Sequence, residues 1–119
     1  MPNQWDKLIP FYREFVDEYE YFAPMIELIE QVIAHRDTSQ VYPHTSHAVL
    51  CLTKQRTYEE WLDKPFVSIE ATGTGWLRFN FIVPKPEGDI YRERRASITC
   101  GPEQALDIYD EVPRMLFDS

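Results

Sequence analysis

Four groups of side chains in this sequence could do chemistry. His44 and His47 stand three residues apart, a spacing that metal sites use. A metal normally takes three or four ligands, and no clustered cysteine or acid completes the set unless the chain folds His35 or Asp37 back. The plainer reading is a pair of loop histidines, so no metal or other cofactor is expected. Arg92, Arg94 and Arg95 form a basic run between Tyr91 and Ala96, interrupted by Glu93 and with Lys85 nearby. Arginine's planar fork suits anions. Charge of this kind equally guards a sheet edge against unwanted pairing.

Glu59, Glu60 and Asp63 crowd one turn beside Trp61. Paired carboxylates do acid–base work when their surroundings push their pKa values apart. Thr57, three residues before Glu60, instead fits a capping box on a single helical turn. The last group is Glu70, Arg78 and Asn80 with Trp76, joined by Ser68, Ser97 and Thr99. It is the preferred candidate ligand-binding set, with Arg78 and Asn80 fixing an anionic or polar group and Trp76 stacking on it. The competing reading is a wet sheet face carrying a cross-strand Glu70–Arg78 pair.

That last group depends on a hairpin. Val67, Ile69 and Ala71 alternate with Ser68 and Glu70. After Gly73, Thr74 and Gly75, Leu77, Phe79, Phe81 and Val83 alternate with Trp76, Arg78, Asn80 and Ile82. Period-two alternation around a glycine turn predicts two antiparallel strands, at 66–72 and 76–83. Apolar runs predict two more, at 48–53 and 90–100, the last with Ala96, Ile98 and Cys100 in line. The polar stretch 36–46 reads as a loop.

Residues 5–33 carry a helical stripe of Trp5, Leu8, Tyr12, Phe15, Val16, Tyr19, Phe22, Ile29, Val32 and Ile33. Pro24 divides it, because proline fits a helix's first turn and breaks its interior. Two helices, at about 5–22 and 24–35, or one sharply kinked helix are expected. Of the many aromatics there, Phe11 and Tyr21 fall outside the stripe. A last helix opens at Pro102 and buries Leu106, Tyr109, Val112 and Leu116, with Pro113 kinking or ending it. The expected fold is α+β: a four-stranded antiparallel meander with N-terminal and C-terminal helices packed on one face.

The 119 residues fit one domain, 1–119, large enough to bury a core without staples. No run approaches the roughly 18 apolar residues of a membrane span. No basic-then-apolar leader precedes Trp5, so a soluble, cytoplasmic protein is expected, with Cys51 and Cys100 as buried thiols.

The net charge is −8 and uneven: residues 1–36 sum to −4, 37–83 to −1, 84–100 to +1 and 101–119 to −4. Acidic helices repel phosphates, so nucleic acid is not an expected partner, nor is membrane. There is no glycine-rich phosphate loop, nucleophile elbow, HExxH or CxxC pair. The expectation is therefore a non-catalytic acidic interaction protein of inhibitor, immunity or regulatory type. It would dock on a basic protein, and homodimers are compatible with its aromatic content. The alternative is a small-molecule-binding or enzymatic domain built on the sheet face around Arg78.

Overall fold

The computed structural model describes residues 4–16, 19–39, 41–46, 48–54, 64–73, 75–84 and 92–117. Its centre is an antiparallel sheet of five strands in sequence order: β1 (Tyr42–Ser46), β2 (Val49–Thr53), β3 (Phe66–Ala71), β4 (Leu77–Pro84) and β5 (Arg92–Cys100). The α+β class and the meander stand. The strand count rises from four to five, because part of the expected loop 36–46 pairs along the whole of β2, from Tyr42 opposite Thr53 to Ser46 opposite Val49. Pro43 obscured it in the sequence, yet proline is tolerated on an edge strand, which β1 is. The expected capped turn at 57–60 lies outside the described residues.

Helix α1 (Leu8–Val16) follows a short 3-10 turn at Gln4–Lys7, and α2 (Ala23–His35) follows another at Glu20–Phe22. The first helix is thus shorter than its hydrophobic stripe. Tyr19 has extended backbone angles, φ −135° and ψ 100°, and its N–H donates to the Phe15 carbonyl at 2.7 Å. Tyr19, expected in the buried stripe, is therefore 49% exposed. Pro24 sits in the first turn of α2, where its missing N–H costs no helical bond. The C-terminal segment forms two helices, α3 (Pro102–Tyr109) and α4 (Val112–Phe117), and the break falls at Asp110 and Glu111, just before Pro113.

One face of the sheet carries the main core. Leu50, Leu52, Val67, Ile69, Leu77, Phe79 and Cys100 join Trp5, Leu8, Tyr12, Met25, Ile29, Val32, Tyr109, Val112 and Leu116 in a single buried cluster. Two polar bonds tie the N-terminal helical layer to the start of the sheet. Trp5 Nε1 donates to the Val41 carbonyl at 3.1 Å, and the Tyr12 hydroxyl donates to the Ala48 carbonyl at 3.1 Å. Burial pushes the Tyr12 phenol well above its ordinary pKa, so it stays a donor.

Arg36 grips Asp110 with both arms, at 2.5 and 2.9 Å, and so clips the end of α2 to the end of α3. The guanidinium holds the Asp110 carboxyl below the usual carboxylate range. The contribution of this clip to stability is complete above the ordinary aspartate pKa of about 3.9 and vanishes as pH falls through Asp110's own lower value. Urea midpoints of the native protein and of Arg36→Ala should therefore differ at pH 7 and converge toward pH 2; a constant gap would contradict the clip.

Tyr109 is buried edge-on against Trp5, with ring centroids 5.8 Å apart. Its hydroxyl finds no hydrogen-bond partner among the described residues, and burial lifts its pKa to about 12. A buried hydroxyl without a partner carries its desolvation cost uncompensated. Tyr109→Phe should be neutral or stabilise the protein by up to about 1 kcal/mol in urea denaturation, whereas a loss of 2 kcal/mol or more would mean the hydroxyl is bonded.

Candidate functional site

The candidate site is built by the β3–β4 hairpin. Its turn closes through Thr72 N–H to Trp76 O at 2.8 Å and Gly75 N–H to Thr72 O at 3.2 Å. Gly75 has φ +83°, a left-handed conformation that glycine adopts without steric penalty. From this turn the pairing runs Leu77 opposite Ala71, Arg78 opposite Glu70, Phe79 opposite Ile69 and Asn80 opposite Ser68. Side chains alternate between faces. Leu77 and Phe79 enter the main core, and Arg78 and Asn80 point to the opposite face.

Register carries this second face across the whole sheet. His44 lies opposite Cys51, Cys51 opposite Ser68, Ser68 opposite Asn80 and Asn80 opposite Ser97. In the middle of that row the Asn80 amide is used at both ends. Its Nδ2 donates to Ser68 Oγ at 3.2 Å and to Glu70 Oε1 at 3.5 Å, while Ser97 Oγ donates to its Oδ1 at 2.9 Å. The neighbouring row places Thr99 opposite Arg78, and Arg78 Nη1 reaches Glu70 Oε1 at 3.4 Å. The cross-strand pair read from the sequence is therefore present.

Three zones result. Cys51 and Phe66, with Val49 and Ile82 against them, form a second small apolar cluster. Ser68 and Asn80, each 6% exposed, form a buried polar centre. Trp76, Arg78, Glu70 and Thr99 form an accessible corner, where the Trp76 indole is 46% exposed and lies over Gly101. Of the four predicted site residues, Trp76, Arg78 and Glu70 are reachable; Arg78 and Glu70 are paired, and Trp76 precedes Arg78 by two residues with its ring over Gly101. Asn80 is adjacent but occupied by its neighbours. Such a corner offers a guanidinium and an aromatic face to a planar anionic group, with Glu70 neutralising part of the charge.

The basic run takes an unexpected turn. Phe81 lies opposite Ala96 but Ile82 lies opposite Arg94, so Arg95 is an extra residue in β5. This bulge moves Arg94 onto the face of Ile82 and Phe66. Uninterrupted alternation from Ala96 would have set it on the core side. Arg94 is exposed and well away from the Trp76 corner, at the other end of β5.

Among the histidines, His35 is exposed at the end of α2, His44 is half-buried in β1, and His47 lies outside the described residues, as do Glu59, Glu60 and Asp63. Among the described residues no three His, Cys, Asp or Glu side chains gather as metal ligands would. Both cysteines are buried and neither is in a disulfide. With β3 and β4 between them, their strands are roughly 14 Å apart, and the cysteines are further still, offset along the strands and beyond disulfide reach. Burial raises the Cys100 pKa, which keeps it a thiol rather than a nucleophile.

Among the described residues no helix is long and apolar enough to cross a membrane. The chain is thus defined as an α+β protein with an antiparallel sheet covered by helices on one face and carrying a polar row on the other. No family model, no curated protein and no solved structure matches it.

Removing the Asn80 amide leaves the buried Ser68 hydroxyl without this partner, whereas Glu70 keeps Arg78 and exposed Ser97 can turn to water. Asn80→Ala should cost about 1–3 kcal/mol in urea denaturation, and Ser97→Ala, at the exposed end of the row, about 1 kcal/mol or less. Equal costs for the two would contradict a buried, saturated centre.

Proposed function

We propose that this protein is a non-catalytic acidic interaction module, of inhibitor, immunity or regulatory type, that docks on a basic protein. The observation that carries this reading is an aromatic chain emerging from the core between α1 and α2. Phe11 packs on Phe15 at 5.1 Å, Phe15 on Phe22 at 5.2 Å, and Phe22 on Tyr19 at 6.4 Å. Phe11 and Phe15 are half-buried and Phe22 is buried, while Tyr19, packed on Phe22, is exposed. Exposed Glu14 and Glu20 flank it, and Glu27 and Glu30 occupy the outer face of α2.

Aromatic anchors set in like charge are what a partner surface of lysine and arginine fits. The acidic field speeds the encounter, and burial of Tyr19 and Phe15 supplies the lasting affinity. The buried polar centre supports the same reading, since its groups are committed to one another rather than poised for a substrate. Two buried cysteines, neither in a disulfide, fit a reducing, cytoplasmic setting.

A second reading rests on the exposed corner of Trp76 and Arg78. There the protein would bind a planar anionic metabolite, and a thermal-shift screen would find a ligand whose stabilisation disappears in Arg78→Ala.

The docking reading is tested by affinity capture from the native host, comparing wild type with Tyr19→Ala and with the double variant Glu14→Lys, Glu20→Lys. The expected result is one basic protein, captured at low salt and lost in both variants, with an association rate that falls steeply as ionic strength rises. Tyr19→Ala alone should weaken the complex by about 2 kcal/mol, roughly thirtyfold in Kd. Equal capture by all three proteins, or no basic partner, would remove this reading.

A further inference from the structure

We infer that the outer edge of β5, which pairs with no other strand among the described residues, pairs with β5 of a second copy of this chain, making a two-fold dimer with one continuous ten-stranded sheet. The sheet has two outer edges, β1 and β5. They are not equivalent. β1 is five residues long and contains Pro43, which lacks the N–H that an added strand would need. β5 is nine residues long and contains no proline. From Ala96 to Cys100 it runs in unbroken register with Phe81 to Leu77, so its outward N–H and C=O groups form a regular, extended row.

Beside that row, on the helix-covered face, lies a small apolar cleft between β3, β4, β5, α3 and α4, with room for about one water molecule. Every residue that lines it is apolar, and Phe81, Ala96, Ile98, Ile108 and Met115 are only partly covered or exposed. The bulge at Arg95 has a consequence here. It rotates Arg94 to the opposite face, away from Ala96 and Ile98. An edge meant only to repel other strands would gain from arginine at that position.

A second copy is the occupant that the geometry selects. Two identical antiparallel strands related by an axis normal to the sheet keep their helices on the same side. Each cleft then opens directly onto the other across the seam. Pairing centred on Ala96 places Arg94 opposite Ile98 and never opposite another arginine. It also sets the basic half of one β5 beside the acidic first turn of α3 in the other copy, where Glu103 is exposed. Segment 84–100 carries +1 and segment 101–119 carries −4, so the antiparallel arrangement joins unlike charge. Small residues at the centre, Ala96 and Ser97, let the two backbones approach. This surface is distinct from the Tyr19 face, so either can fail without the other.

The experiment is light scattering behind size exclusion on the full chain up to about 0.1 mM, with site-directed cross-linking. The expected mass is twice the 14.2 kDa of one chain. Ala96→Glu and Met115→Glu each place a charge at the seam without touching a fully buried side chain, and both should run as monomers with unchanged circular dichroism. Ala96→Cys should form a disulfide-linked dimer under mild oxidation, because paired strands bring its two copies within the roughly 5.5 Å that a disulfide spans, and Tyr19→Cys should not. A wild-type monomer at that concentration, including one whose β5 pairs with a strand of another protein, would overturn the inference. So would a dimer that survives both glutamate variants.

Discussion

The pairing of β3 with β4 is the constraint on which the rest of this structure depends. A shift of one residue in that ladder would set one strand's apolar side chains opposite the other's polar ones. Either Ile69 or Phe79 would leave the core, and Ser68 or Asn80 would enter it in its place. The apolar set on one side and the bonded polar set on the other disfavour the slipped register together. Gly75 contributes by closing the turn at a length that permits only this match. The helices then have one apolar face to cover, and they cover it.

The two faces consequently have different chemistry. Beneath the sheet, burial of aliphatic and aromatic groups supplies the stabilising term, at roughly 25 cal/mol per Å² of apolar surface removed from water. On the other side, the Asn80 amide links two strands to Glu70 and Ser97 through bonds that exist only in this register. Each such bond adds about 1 kcal/mol net, less than a core leucine, but an alternative pairing would leave the same groups without partners. The polar row therefore selects the register more than it stabilises the fold. Charge is arranged with equal economy: acid lies on the helices, and the one basic stretch lies on the far edge strand.

Much of this was legible in the sequence, for identifiable reasons. The hairpin, the split at Pro24, the opening of the last helix at Pro102 and the Glu70–Arg78 pair follow from period, proline geometry and cross-strand spacing. β1 was not legible, because Tyr42, Pro43 and His44 have no apolar alternation and become a strand only against β2. Tyr19 was misplaced because the stripe of apolar residues runs on through it while its own backbone is extended. The bulge at Arg95 leaves no trace in a string of arginines, since nothing in the residue types marks which one is extra. The burial of Asn80 was missed because polar alternation on a strand reads as solvent exposure, although here both ends of the amide find partners. His44 and Cys51 entered the same row only once β1 was known.

The most direct test of this account is a set of NMR contacts from the Asn80 side-chain amide protons. They should show nuclear Overhauser effects to the β protons of both Ser68 and Ser97, and exchange slowly with water. Contacts instead to residues beneath the sheet, such as Met25 or Val112, or fast exchange with neither serine nearby, would contradict the register and with it the division of the molecule into two faces.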